Sequence, residues 1–156
     1  MGAGPRLNLS GARLERNFGE VGVTAKTQKL VLVVDDEPEI TRMLQMMLEY
    51  EGYAVRCAHG TAQGIVALEA EAPDLILLDF MMPQMSGLEL CSYVRREPRT
   101  AHIPVIVYSA AAGDQSVKMA MDAGATLYVS KTVSSEKLLK TVREMLAPDS
   151  GNRGLA

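Results

Sequence analysis

The chain has 156 residues, of which 47% are hydrophobic and 22% charged, with a formal net charge of −3. That is about one domain, long enough to bury roughly two thirds of its unfolded surface without help from disulfides. The longest purely aliphatic run, Leu30 to Val34, is far short of the roughly 18 residues of a membrane span. With no signal-peptide block at the N-terminus, the expected location is the cytoplasm, without membrane contact.

Charge is uneven. Residues 1–29 hold five basic and two acidic residues, a net +3, so the remainder carries −6. An acidic body offers no electrostatic footprint for direct nucleic-acid binding. Cys57 and Cys91 have neither metal-ligand spacing nor a secretory context, and read as small buried hydrophobes. His59 and His102 read as loop residues.

Residues 1–28 are rich in glycine and lack sustained periodicity, the pattern of a flexible extension. Within them Leu14 and Phe18 make one short apolar strip beside Arg13 and Arg16. From Lys29 the pattern becomes regular. Leu30 to Val34 read as a first strand ending in Asp35-Asp36. Ile40, Met43, Leu44, Met47 and Leu48 then recur at helical spacing behind Pro38, a residue suited to a first turn. Gly52 stops that helix, Tyr53 to Ala58 make a second strand, and Thr61 is expected to cap a helix running to about Glu71.

Leu75 to Leu78 are four consecutive apolar residues, as in a strand buried on both faces of a parallel sheet, and Asp79 stands where it stops. Ser86 with Glu89 three residues on has the form of a capping box, and Leu90, Cys91 and Val94 give the next helix its inner face until Pro98. Ile103 to Tyr108 are the fourth strand, closing on Ser109. Asp114 is expected to cap a fourth helix with Val117, Ala120 and Met121 inward and Gly124 as its stop. Thr126 to Ser130 form a fifth strand ending at Lys131. Ser134 starts a last helix with Leu138, Val142, Met145 and Leu146 on one face. The organisation is therefore an extension (1–28), one domain (29–147) and a disordered polar tail (148–156).

Five strand-helix units in strict alternation imply an α/β fold, a doubly wound parallel sheet with helices on both faces. In such sheets the ligand site lies at the carboxyl ends of the strands. Those ends carry Asp35-Asp36, Asp79, Ser109 and Lys131. Taken singly, each has an ordinary explanation as a turn residue, a helix-dipole partner or a solvated charge. Together they do not. Two carboxylates 4 Å apart repel by about 4 kcal/mol at an effective dielectric of 20, so something positive must sit among them. Lys131 supplies one charge and leaves about −2, the deficit a divalent cation neutralises. Oxygen ligands of this kind suit Mg²⁺, which keeps several waters and takes one or two carboxylates plus phosphate oxygens. A carboxylate nucleophile beside such an ion can form an aspartyl-phosphate. No nucleotide-binding glycine loop, nucleophile elbow or zinc cluster offers another phosphate chemistry.

Asp35-Asp36, the run Asp79-x-x-Met82-Pro83-x-x-x-Gly87, Ser109 followed by small residues, Ala123-Gly124-Ala125 and Tyr128-x-x-Lys131 together resemble the receiver domain of two-component response regulators, over residues from about 29 to 147. The resemblance implies a flavodoxin-like five-stranded sheet of order 2-1-3-4-5 with five helices. It implies that Asp79 accepts phosphate from a sensor histidine kinase or histidine phosphotransfer protein. Asp36, Asp79 and the backbone carbonyl of Met81 would bind Mg²⁺, with Asp35 helping, while Ser109 and Lys131 grip the phosphoryl group. Tyr128 would be the switch aromatic, swinging inward as Ser109 moves, and so altering the face made by the fourth helix, fifth strand and fifth helix. With no output domain recognised after Leu146, output is expected through a downstream protein target, onward phosphotransfer or phosphorylation-dependent dimerisation.

Departures from the pattern carry expectations of their own. Receivers usually place Pro directly after the active-site Lys, where this chain has Thr132. A cis bond without Pro would cost about 2.5–4 kcal/mol, so a trans bond and a differently aimed Lys131 are expected. Met81 and Ala111, two past the acceptor and two past the hydroxyl, cannot orient an attacking water. Two rivals compete with the switch. One is a Mg²⁺-dependent phosphatase with an Asp nucleophile, but dehalogenase-like phosphatases carry a second Asp where this chain has Met81. The other is a receiver-shaped binding module that is never phosphorylated.

Overall fold

The computed structural model describes residues 28–82, 86–111 and 113–148. Most of the N-terminal extension with its Leu14–Phe18 strip, Pro83 of the sequence run, and the tail beyond Pro148 lie outside the described residues. Among the described residues, elements alternate without exception: β1 (Leu30–Val34), α1 (Pro38–Tyr50), β2 (Ala54–Ala58), α2 (Thr61–Ala70), β3 (Leu75–Leu78), α3 (Gly87–Arg96), β4 (Val105–Ser109), α4 (Asp114–Ala123), β5 (Leu127–Ser130) and α5 (Ser135–Leu146). All four strand pairings are parallel, and the order is β2-β1-β3-β4-β5.

Alternate residues of a strand face opposite sides of the sheet, so each central strand feeds two cores. Leu32, Val34, Ile76, Leu78, Val105 and Val107 pack with Leu68, Leu90, Val94 and Ala120 of α2, α3 and α4. Val31, Val33, Leu75, Leu77 and Ile106 pack with Leu44 and Leu48 of α1 and Leu138, Val142 and Leu146 of α5. This two-sided burial is why β1, β3 and β4 read as unbroken apolar runs. The parallel pairing turns every strand's carboxyl end toward one edge of the molecule.

The helix starts differ from expectation in three places. Thr61 and Asp114 open α2 and α4 as their first residues, with Gly60 and Gly113 at the cap positions, so neither side chain caps. Thr61 instead donates its hydroxyl to the Ser86 carbonyl at 3.2 Å. Ser86 is the N-cap of α3, yet its side chain makes no cap bond and no capping box with Glu89 forms. The Ser86 carbonyl takes the Glu89 amide at 3.1 Å. Only Ser134 caps as read, its hydroxyl accepting from the Lys137 amide at 3.1 Å.

On α4 only Ala120 is buried; Val117 and Met121, expected inward, are 37% and 42% exposed. The helix lies at the sheet's edge against α3 and β5, where a single row of side chains reaches the core. Arg95 ties this edge down. Its guanidinium donates to the carbonyls of Gly124 (2.8 Å), Ala101 (2.9 Å) and Ile103 (2.7 Å) and to the Thr126 hydroxyl (3.2 Å). Gly124 ends α4 at φ 114°, and a Cβ there would also meet Arg95 Cγ at 2.6 Å.

Candidate functional site

The strand ends bring the sequence-predicted residues to one place. Asp35 and Asp36 follow β1, Asp79 follows β3, and one carboxylate oxygen from each lies within 4.8 Å of the others. Asp35 is 2% exposed and Asp79 5%, so their charges depend on partners rather than on water. Two backbone amides serve them: Glu37 N donates to Asp35 Oδ1 at 2.9 Å and Met81 N to Asp79 Oδ1 at 3.0 Å. Each is an Asx turn, the local bond that short acidic side chains make two residues ahead.

Lys131 spans the other oxygens. Its Nζ lies 2.9 Å from Asp35 Oδ2 and 3.3 Å from Asp79 Oδ2, and 3.6 Å from Glu37 Oε1. Lys131 is therefore aimed straight into the cluster, against the expectation drawn from Thr132. No cis peptide is present among the described residues. The turn is held another way: Thr132 N donates to Ser130 Oγ (3.1 Å), the two hydroxyls share a bond (2.8 Å), and Val133 N meets the Ser130 carbonyl (3.1 Å). Lys131 N is anchored to the Ser109 carbonyl at 2.9 Å, and Nζ stands 5.9 Å from the centre of the Tyr108 ring, within cation–π range.

Protonation follows from this geometry. Burial pushes the Asp79 carboxyl above its ordinary range; the Met81 amide opposes that rise, Asp35 adds to it, and Lys131 again opposes it. Burial alone would lower the Lys131 ammonium, but its bond to Asp35 and the charges of Asp79 and Asp35 hold it above its ordinary value. The two directions are compatible because one ammonium serves two carboxylates while each carboxylate has only a share of one ammonium. Three carboxylates against one ammonium leave the cluster about two charges negative.

Ser109 ends β4, fully buried, with its Oγ accepting from Ala111 N at 3.2 Å. Tyr128 on β5 donates its phenol to the Ala111 carbonyl at 2.6 Å. Its ring meets Phe80 edge to face, centroids 6.1 Å apart and planes at 90°. Met81, at 60% exposure, turns its side chain outward while its backbone joins the Asp79 turn. Sequence reasoning did not single out Glu37, Phe80 or Arg95. Glu37 alone had a signal, an acidic residue directly after the Asp pair.

Residues 31–143 match the family described as the response regulator receiver domain. The chain belongs to that family. Over 116 residues the receiver is 36% identical to the DNA-binding dual master transcriptional regulator RpaA of Synechocystis sp., which covers 74% of this chain and 48% of that protein. It thus spans about half the length of the curated relatives it matches. Among solved structures it is similar to the Vibrio cholerae chemotaxis protein CheY4 (28% identity, TM-score 0.73, 77% of this chain and 100% of that one). It is also similar to the Thermotoga maritima response regulator TrrA, solved in complex with Mg²⁺-BeF (31% identity, TM-score 0.68, 76% and 100%). As a receiver it is a two-component signalling protein of a family phosphorylated on aspartate. No helix among the described residues is long and apolar enough to cross a membrane.

Proposed function

We propose that this receiver is a phosphoacceptor switch whose acceptor is Asp79. The observation that carries the reading is the meeting of Asp35, Asp36 and Asp79 within 4.8 Å of one another, with the ammonium of Lys131 on Asp35 and Asp79. In the transfer, a carboxylate oxygen of Asp79 attacks the phosphorus of a phosphohistidine on a sensor kinase or phosphotransfer protein. The new O–P bond forms as the P–N bond breaks, and the imidazole leaves.

The donor set is all oxygen and about two charges negative, which fits Mg²⁺. Asp36, Asp79 and the Met81 carbonyl would hold the ion, with Asp35 helping. When bound, Mg²⁺ supplies positive charge to the phosphoryl oxygens. The chain's own groups do the rest. Lys131, already bonded to Asp79, stabilises one phosphoryl oxygen by charge, and Ser109 reaches another by giving up the Ala111 amide for a bond to phosphate. Movement at Ser109 passes through Ala111 to Tyr128. It therefore reaches the α4/β5/α5 face, where Val117, Met119, Met121 and Leu127 are exposed. That face would carry the signal to a downstream protein, to a second copy, or into onward phosphotransfer in the cytoplasm. Chemistry at Asp79 is self-limited, one phosphoryl group accepted and later lost, without turnover of an external substrate.

Titration with beryllofluoride and Mg²⁺, followed by NMR, tests the reading. Saturable shifts around Asp79 together with a response at Tyr128 are expected; a spectrum unchanged at millimolar beryllofluoride would leave the binding-module rival standing. A second expectation concerns lifetime. Met81 turns outward and Ala111 has only a methyl group, so neither orients a water for in-line attack. The phosphorylated state should persist for minutes or longer in a purified dephosphorylation assay, and a half-life of seconds would count against it.

A further inference from the structure

Phe80 follows the acceptor directly, is 7% exposed, and belongs to the core on the α2–α4 side. Its backbone cannot slide. Gly87 N donates to the Phe80 carbonyl at 3.3 Å, and a Cβ at position 87 would stand 2.5 Å from Asp79 O and 2.7 Å from Phe80 Cα. Only glycine lets the start of α3 press on this bend, which fixes where the Phe80 ring emerges. That ring then meets Tyr128 edge to face, the arrangement in which a positive ring edge faces a negative ring surface. From Tyr128 a hydrogen bond runs to Ala111, and from Ala111 another to Ser109.

A continuous path results: Asp79 to Phe80 by the chain, Phe80 to Tyr128 by ring contact, Tyr128 to Ala111 and Ser109 by hydrogen bonds. We propose that Phe80 is a positioning residue, its ring seating the Tyr128 phenol against the Ala111 carbonyl and coupling the acceptor turn to the Ser109 loop. This rests on the phosphoacceptor reading above, which makes Asp79 and Ser109 the two ends that grip phosphate. Tyr128 then responds to the site from two directions. Through Ser109 it senses the phosphoryl group, and through Phe80 it senses the backbone that carries the acceptor. An apolar residue without a ring would fill the volume but lose the directional contact.

The test uses the full chain labelled with 3-fluorotyrosine, with the Tyr128 fluorine resonance assigned from Tyr128→Phe. In Phe80→Leu the ratio of seated to unseated Tyr128 should fall about threefold to tenfold, the range an aromatic pair accounts for. Its resonance should move toward that of free fluorotyrosine. Tyr53 and Tyr108 lie in the core on the opposite face of the sheet, so their resonances should stay in place. An unmoved Tyr128, or all tyrosines moving together as in general loosening, would overturn the proposal. Should Phe80→Leu not fold, the reciprocal measurement decides: the chain has two phenylalanines, Phe18 and Phe80, and with 4-fluorophenylalanine the Phe80 signal must shift in Tyr128→Leu. Acetyl-phosphate labelling of the wild-type chain separates the two claims. No label on Asp79 sinks the parent reading, whereas a labelled Asp79 with a Tyr128 indifferent to Phe80 sinks this one.

Discussion

Asp79→Asn abolishes labelling by acetyl phosphate and Mg²⁺ and raises the melting temperature of the metal-free protein at neutral pH. The first effect follows from chemistry: an amide oxygen is not the nucleophile a carboxylate is, and the variant should fall below detection, more than 100-fold under wild type. Undiminished label would move the acceptor elsewhere. The second follows from the site's electrostatics. Asp79 is buried, and burial with Asp35 nearby lifts its carboxyl above the ordinary 3.8. The folded state therefore holds that proton more tightly than the unfolded state does. Wild-type stability then falls as pH rises from the unfolded value through the folded one, and the full penalty is present above both. Asparagine keeps an oxygen for the Met81 amide, leaves Lys131 its bond to Asp35, and carries no charge. In EDTA the variant should thus melt higher than wild type at pH 7, with the gap closing as the pH is lowered through the folded value toward 3.8. A variant less stable than wild type at pH 7 would show that the Lys131 contact outweighs burial.

What the sequence disclosed, and what it hid, divides along the range of the interactions. Burial of a strand on both faces leaves a mark at every position, so Leu30–Val34 and Leu75–Leu78 were legible, and with them the strand ends where Asp35, Asp79 and Lys131 stand. The caps at Thr61 and Asp114 were misplaced by one residue because glycine can also occupy a cap, and the side chain beside it is then already inside the helix. The Ser86–Glu89 box had the right letters in the right order, but the close approach of Gly87 to Asp79 and Phe80 accompanies a start in which the Ser86 carbonyl is used and its hydroxyl is not. Apolar spacing on α4 gave a stripe, and the stripe is real, yet a helix at the sheet edge buries only Ala120 of it. Phe80 meeting Tyr128, 48 residues later, and Arg95 reaching Gly124 across 29 depend on tertiary approach that no local pattern encodes. Lys131 is the instructive case. The missing proline suggested a different aim, but hydroxyl bonds between Ser130 and Thr132 hold the turn, and two buried carboxylates draw the ammonium in.

Replacing that ammonium should therefore disturb both stability and ion binding. Lys131→Met keeps the aliphatic stem and removes the cation that, among the described residues, meets both Asp35 and Asp79, which are 2% and 5% exposed. Exposed ion pairs contribute under about 1 kcal/mol and broken buried ones cost about 3–5 kcal/mol; with Lys131 itself 15% exposed, a loss of about 2–3 kcal/mol is expected in EDTA. In a chain of this size that is a drop in melting temperature of roughly 10 °C. Wild type gains from the lysine because its folded pKa lies above the ordinary 10.5. That contribution is whole below 10.5 and disappears as pH rises through the folded value. The variant lacks it throughout, and the Asp79 carboxyl, already raised by burial, loses the ammonium that opposed the rise, so acidification should stabilise it. A divalent ion should do the same without a pH change. With no ammonium competing for Asp79, Mg²⁺ should bind the variant several-fold more tightly, and its stability should climb with Mg²⁺ concentration by mass action more steeply than that of wild type. Labelling should nevertheless fall at least tenfold, because the phosphoryl oxygen that Lys131 would meet has no partner. Equal melting temperatures in EDTA, or equal Mg²⁺ affinities by calorimetry, would mean that the ammonium seen between the two aspartates does not govern their charge.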